Sequence, residues 1–172
     1  MKLKHGLIGL SVVLGLFLTA CEPGGGSTTP VAAADLIGKW LYRSEVAKGT
    51  LKSHGVIAGQ TIDTTMSLDS TTTYTGNTYY MEFKADNTYT SNSPDMGEAK
   101  VSAQAPIENG TWSVSGAILT TITADKKDTT KVNVAISGTT LTGTMVIDES
   151  STYEGITYTT HADITITMAK SP

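Results

Sequence analysis

Cysteine, aromatic residues and basic residues are all scarce in this chain of 172 residues. With a single cysteine the chain cannot close an internal disulfide, so packing and backbone hydrogen bonds must hold the fold. Lys and Arg number 12 against 16 Asp and Glu, giving a net charge of −4. Nucleic acids and anionic lipid headgroups both select clustered basic surfaces. The composition therefore argues against a nucleic-acid partner and against membrane binding through a polybasic patch.

Long hydrophobic runs are also lacking, with one exception near the start. Residues 7–18 are apolar, but a run of about twelve is shorter than the roughly twenty residues that cross a bilayer. Lys2 and Lys4 precede the run, and this arrangement is typical of a secretory signal. The small residues Thr19 and Ala20 then lead directly into Cys21.

The stretch Leu18-Thr19-Ala20-Cys21 resembles the lipobox of bacterial lipoproteins. The resemblance implies cleavage before Cys21 and attachment of lipid, including palmitate, to that residue. Several acyl chains would anchor the protein stably to a membrane. Glu22 follows the cysteine, and by resemblance to proteobacterial sorting this favours the outer membrane, on its periplasmic or surface side. The alternative is a plain secretory signal that is cut without lipidation.

Three regions follow from this start. Residues 1–20 are predicted to be the signal peptide. Residues 21–35 contain Gly24-Gly25-Gly26-Ser27 and little apolar surface, which predicts a flexible lipidated tether. Residues 36–170 are rich in Thr, Val, Ile and Tyr, with turn residues recurring about every ten positions, and so form one β domain.

The regular spacing of about nine short strands predicts an all-β fold. Because most connections are short, successive strands should pair as antiparallel neighbours, and closing the sheet would remove its exposed edges. We therefore predict an antiparallel up-and-down β-barrel of about 8–10 strands. A sandwich would need longer connections.

Particular strands and loops follow from the alternation of side chains. Residues 38–46 predict a first strand with Trp40, Tyr42 and Val46 inward and Glu45 in water. Glycine-containing loops are expected from Gly49 to Gly59 and over residues 148–155, a tight turn at Gly76-Asn77 and a long loop over 91–106.

Several motifs of the β domain resemble a known family. Leu36-Ile37-Gly38-Lys39-Trp40 is similar to the Gly-x-Trp start of lipocalins. The hairpins at residues 83–89, 109–116 and 137–142 resemble those of bacterial lipocalin-like lipoproteins. The resemblance implies a small barrel whose interior holds one apolar molecule. The disulfides of many eukaryotic lipocalins and a counterpart of their later conserved arginine are missing, so the resemblance implies no particular ligand.

Aromatic and methionine side chains on the predicted inward faces are the candidate ligand lining. Methionine adapts to irregular ligands, but it also fills irregular cores, and large aromatics commonly serve as core plugs. Both interpretations stay open for this set. The candidates are Trp40, Tyr42, Met66, Tyr79, Met81, Phe83, Trp112, Met145 and Tyr158.

Catalytic and metal-binding patterns are weak. His54 and His161 have no metal-ligand spacing, and no serine stands in a nucleophile-elbow context. The acidic residues around Asp148 lack the spacing of a calcium loop. The sequence therefore predicts a protein that is not an enzyme and needs no cofactor or metal.

The sequence thus predicts an envelope lipoprotein, anchored through lipid on Cys21, whose barrel binds or carries a small apolar ligand. The alternative is a protein-interaction or structural module of the envelope, with a barrel filled by its own side chains and a protein partner outside it. Cavity volume separates the two, because a filled barrel cannot carry a ligand.

Overall fold

The computed structural model describes residues 29–57, 59–93 and 107–172. The predicted signal peptide, Cys21 and most of the predicted tether lie outside the described residues, as do 94–106 of the predicted long loop. The described residues form one short helix and nine strands: α1 Ala33–Leu36, β1 Gly38–Ile57, β2 Gln60–Thr73, β3 Tyr80–Phe83, β4 Thr88–Asn92, β5 Glu108–Ser115, β6 Ile118–Thr123, β7 Thr129–Ser137, β8 Thr140–Tyr153 and β9 Ile156–Lys170.

The strands form a closed antiparallel barrel of eight positions. From β3 to β9 each strand pairs with the next, and β9 pairs back onto β1 along most of its length. β2 and β3 share one position, because both pair with the same edge of β1. The predicted all-β up-and-down barrel is confirmed.

Two predicted loops are wrong, because strands run through most of their residues. β1 continues through Gly49 and Gly55 to Ile57 and reverses into β2 with Ile57 opposite Gln60. β8 likewise continues to Tyr153, and Glu154-Gly155 alone make the turn into β9. Both turn residues have positive φ, 51° and 81°, as the two central residues of a type I′ hairpin turn require.

The predicted turn at Gly76-Asn77 does not reverse the chain. β2 and β3 both run antiparallel to β1, so they run in the same direction, and residues 74–79 leave the sheet and rejoin it. Two contacts at Arg43 hold this excursion. The Arg43 carbonyl accepts a hydrogen bond from the Tyr74 amide, and its guanidinium donates to the carbonyl of Gly76 at 2.8 Å.

A bulge in β1 changes which residues face the interior. The register with β9 shifts between Tyr42 and Ser44, so one extra residue enters β1 there. Trp40 and Tyr42 point inward as predicted. Beyond the bulge the odd-numbered positions face inward, so Glu45 points inward and Val46 outward, and the prediction for these two residues is wrong.

One end of the barrel is closed by the segment that precedes β1. The Val31 amide donates to the Gly116 carbonyl at 2.9 Å, and Leu36 of α1 is fully buried. The indole N–H of Trp40 donates to the Leu36 carbonyl at 2.7 Å. The last part of the predicted tether, from Val31 to Asp35, is therefore docked on the barrel.

The core lies directly inside this closed end. Edge-to-face packing joins Phe83 and Trp112, whose ring centroids are 5.2 Å apart, and the Trp112 indole N–H donates to the Lys84 carbonyl. These aromatic side chains fill the closed end, as expected for a barrel of this strand number. Its buried members are Leu36, Trp40, Tyr42, Phe83, Tyr89, Trp112, Leu119, Val134, Leu141 and Met168.

At the opposite, open end, a four-stranded sheet continues past the rest of the barrel. We call it the extension; it comprises residues 44–57 of β1, β2, residues 145–153 of β8 and residues 156–164 of β9. Within the described part of the chain, no strand pairs with the outer edge of β2 or with β8 beyond Thr144. At about 3.3 Å per residue, this part of β1 spans on the order of 45 Å.

The two faces of the extension differ in polarity. Cross-strand partners share a face, and the face that continues the outside of the barrel is rich in Thr, Ser and charged residues. The other face continues the barrel interior. It carries a second apolar cluster of Met145, Ala162 and Ile164, with Leu68 and Ile147 packed against it.

A histidine–aspartate pair links β8 and β9 on the outer face. Nδ1 of His161 lies 2.5 Å from Oδ1 of Asp148, and this hydrogen bond and the carboxylate charge raise the pKa of His161 above its ordinary value. A raised pKa in the folded state means that the contribution to stability is present below about pH 6.5 and is lost as the pH rises through the folded-state pKa.

We therefore expect Asp148→Asn to lower the pKa of His161 and to reduce unfolding free energy at pH 5.5 but not at pH 8.5. An NMR titration of the imidazole and urea unfolding at both pH values measure this. The control is His54→Asn, because His54 lies on the same outer face of the extension as His161. An unchanged His161 pKa in Asp148→Asn would refute the assignment.

Candidate ligand site at the open end of the barrel

Six of the nine predicted lining residues meet in the core at the closed end. Trp40, Tyr42, Phe83 and Trp112 are buried members of this core, and Tyr79 and Met81 are partly buried against it. Their mutual packing leaves Trp40 fully buried and Phe83 only 1% exposed. At this end the aromatic side chains act as a plug, which was one of the two interpretations of the sequence.

The other three lie towards the open end, apart from that core. Met145 belongs to the second cluster, on the interior side of β8. Tyr158 pairs with Ser53 and lies on the inner face of the extension, where it is partly buried. Met66 pairs with Leu51 on the same face and is 59% exposed. The structure thus divides the predicted lining between a filled end and an open one.

Three tyrosines form a contiguous aromatic wall where these two regions meet. The Tyr42 and Tyr74 ring centroids are 6.0 Å apart with planes at 80°, and those of Tyr74 and Tyr79 are 5.4 Å apart at 70°. Such edge-to-face contacts are favourable beyond simple burial. The bulge at Arg43 and the 74–79 excursion bring the rings together, because Tyr74 and Tyr79 are the two ends of that excursion.

The inward-facing Glu45 is in direct contact with this wall. The Tyr74 hydroxyl donates to Oε2 of Glu45 at 3.1 Å. Burial, together with the charge of Glu45, raises the pKa of Tyr74 above its ordinary value. Burial also raises the pKa of Tyr42, to which Glu45 and Glu108 add. Both phenols therefore stay neutral and act as hydrogen-bond donors near neutral pH.

A second carboxylate, that of Glu108, lies at the same end of the barrel, at the start of β5. Tyr89 is 2% exposed, and its hydroxyl donates to Oε1 of Glu108. Burial and this hydrogen bond raise the pKa of Tyr89. Glu108 pairs with Ser91, which is 1% exposed and bonded to the Tyr42 side chain. Two carboxylates and four phenols thus lie at the barrel mouth: Glu45, Glu108, Tyr42, Tyr74, Tyr79 and Tyr89.

Comparison with protein families gives one match over more than half of the chain. A lipocalin-like domain model matches residues 36–143, from the buried Leu36 to Gly143 in β8. The chain belongs to the lipocalin-like family. The resemblance seen in the sequence is thereby confirmed. Comparison with curated proteins and with solved structures gave no match.

Lipocalin-like proteins are generally binding proteins rather than enzymes, and their fold is of a ligand-binding type. Among the residues that the structure describes, the exposed large apolar side chains of the interior face lie at the open end. Met66 is the most exposed of these apart from Tyr153, which is 68% exposed at the tip of β8. The mouth and the inner face of the extension are therefore the candidate site.

Sequence reasoning missed four residues of the lipocalin-like mouth: Tyr74, Tyr89, Glu45 and Glu108. Glu45 was assigned to the solvent because simple alternation was carried through the bulge. A signal was available in the sequence. The inward residues Trp40 and Tyr42 have even numbers, whereas the small and apolar residues Ala47, Gly49 and Leu51 have odd numbers, and this change indicates an inserted residue after Tyr42. Tyr74 was missed because its inward position depends on the excursion.

Over residues 29–57, 59–93 and 107–172, no three His, Cys, Asp or Glu side chains converge to hold a metal ion. Among these same residues, no helix is both long and apolar enough to cross a membrane.

Proposed function

We propose that this lipocalin-like chain is a non-enzymatic envelope lipoprotein, anchored through lipid on Cys21, that binds one small apolar molecule at the open end of its barrel. One observation carries the binding proposal: the apolar interior face continues past the barrel mouth onto the extension and is exposed there, with Met66 at 59%. The closed end is filled by its own aromatic side chains, so the ligand has to enter from the mouth.

The binding proposal is tested with the Cys21→Ser chain, which cannot be lipidated at that position. Native mass spectrometry should detect a co-purified apolar molecule, and Met66→Ser should weaken its retention by about tenfold. Val56→Ser is the matched control, because Val56 is 58% exposed on the outer face of the same sheet. Absence of any bound molecule after purification and after incubation with a lipid panel would refute the proposal.

The anchor has its own test. Wild-type protein should incorporate an alkyne-labelled fatty acid in cells and sediment with membranes, and Cys21→Ser should do neither. Cys21 is the chain's single cysteine, so a fatty acid attached to a thiol of this protein has to be on Cys21. Sedimentation of Cys21→Ser with membranes to the same extent as wild type would contradict the anchor.

A protein-interaction module is the second candidate, and the unpaired edges of the extension favour it. The outer edge of β2 offers backbone hydrogen-bonding groups over 14 residues to a partner strand. A photo-crosslinking residue at Thr65, on this edge strand, should then capture one defined envelope protein, while the same residue at Asp125 in the β6–β7 turn should not. Equal capture at both positions would count against it.

A further inference from the structure

The inward-facing charges at the open end all have one sign. Glu45 pairs with Ile166, Glu108 with Ser91 and Glu149 with Thr160, so all three carboxylates share a face with interior residues. In the described part of the chain, no Lys, Arg or His occupies an inward-facing strand position between the aromatic core and the tip of the extension.

The basic side chains near the mouth are directed elsewhere. Lys48 and Lys52 pair with Asp163 and Thr159 and so lie on the outer face of the extension. The Arg43 guanidinium is bonded to the Gly76 carbonyl in the exposed excursion. At the closed end, Lys170 donates to the Asp35 carbonyl and lies over the Trp40 ring. Among the described residues, the charges that face the interior of the mouth are therefore all negative, and low-dielectric walls strengthen their effect on a ligand.

An acidic mouth with an aromatic wall discriminates between kinds of apolar ligand. A fatty acid would bring a further carboxylate beside Glu45 and Glu108, where the described inward-facing positions hold no cation to pair it, and that costs free energy. An organic ammonium group would be attracted both by the carboxylates and by the faces of the tyrosine rings. The inner face of the extension, with Leu51, Met66 and Leu68, offers apolar surface for the remainder of such a molecule.

We infer that the ligand of this barrel is an amphiphile with a cationic amine or ammonium head, held between Glu45 and Glu108 at the tyrosine wall, and an apolar body that lies along the inner face of the extension. The inference rests on the proposed binding function and adds the charge of the ligand to it. It concerns the mouth alone, because the closed end has no room for a head group.

Three matched probes test the inference on the Cys21→Ser chain by isothermal titration calorimetry below their micelle concentrations. They are dodecyltrimethylammonium, dodecanoate and dodecanol, which share an alkyl chain and differ in head-group charge. We expect dodecyltrimethylammonium to bind at least about tenfold more tightly than dodecanoate, with dodecanol between them. Added salt screens the charges and should reduce the difference in affinity between dodecyltrimethylammonium and dodecanoate.

Paired substitutions locate the effect. Glu45→Gln with Glu108→Gln should bring the ammonium affinity down to that of dodecanol and remove the penalty on dodecanoate. Glu82→Gln is the control, since Glu82 pairs with Lys39 on the outside of the barrel and should leave all three affinities unchanged. Urea unfolding of each variant verifies that it is folded. The comparison of the three probes on the Cys21→Ser chain, which keeps Glu45 and Glu108, does not depend on these variants.

The outcomes separate the inference from the proposed function. Equal or tighter binding of dodecanoate would overturn the inference and leave apolar ligand binding in place. Discrimination that survives the double substitution would also overturn it, because the charge would then act from elsewhere. Binding of none of the three probes would overturn both.

Discussion

Replacing Trp40 with alanine is expected to lower the unfolding free energy by about 3–5 kcal/mol, the range typical of large aromatic truncations in a core. Trp40 is fully buried, and its indole N–H satisfies the Leu36 carbonyl at the end of α1. Removal leaves a large cavity beside Phe83 and Leu36 and an unpaired buried carbonyl. Urea unfolding of the Cys21→Ser chain, followed by circular dichroism, measures the loss.

Trp40→Phe is the matched control. It retains most of the apolar volume and loses the indole donor, so we expect a loss nearer to 1–2 kcal/mol, mostly the cost of the orphaned carbonyl. Ligand affinity should be unchanged in Trp40→Phe, because the aromatic plug lies at the closed end. A loss below about 1 kcal/mol in Trp40→Ala would contradict the structural role given to this residue.

Gly49→Ala is expected to destabilise the barrel by about 2 kcal/mol or more, although alanine in a strand is ordinarily the better residue by about 0.5–1 kcal/mol. Gly49 pairs with Ala162 in the extension, on the β1–β9 pairing that also closes the barrel. A Cβ at this position would lie 1.9 Å from the His161 carbonyl oxygen and 2.7 Å from the Ala162 Cα. Both are backbone atoms, so relief requires the strands to separate.

Gly143→Ala serves as the control, because it is the same change on the interior face of β8. There the nearest atom to the added Cβ is Cγ1 of the Val132 side chain, at 2.9 Å, and a side chain can shift without separating two paired strands. We expect a loss within about 1 kcal/mol. If the unfolding curves of Gly49→Ala and Gly143→Ala shift equally, close approach of the backbones does not explain the glycine in β1.

Gly49 also shows why one prediction from the sequence was wrong. A glycine amid polar residues indicates a turn when only neighbouring residues are considered. Its reason here is the proximity of β9, more than a hundred positions later in the chain. The same holds for Gly55, whose Cβ would lie 2.4 Å from the Gly155 carbonyl. Local sequence cannot distinguish a turn glycine from one that permits two strands to touch.

The candidate site likewise contains residues that local sequence identified and residues that it missed. Alternation within β3 correctly identified Met81 and Phe83 as inward, because each strand carries its own period of two. The mouth was not predictable in this way. The acidic and phenolic groups converge there because one inserted residue at Arg43 turns Glu45 inward and an excursion folds Tyr74 onto Tyr42.

The sequence by itself determined the fold class and the family, since β-branched residues, frequent short turns and the Gly38-Lys39-Trp40 start are local properties. It also supplies the expectation of a lipid anchor at Cys21, which stays a prediction. Only the tertiary structure decided that one end of the barrel is filled and the other open, and that Glu45 and Glu108 face the interior. These facts depend on the register between distant strands, and a shift of one residue in that register exchanges the inside of the barrel for its outside.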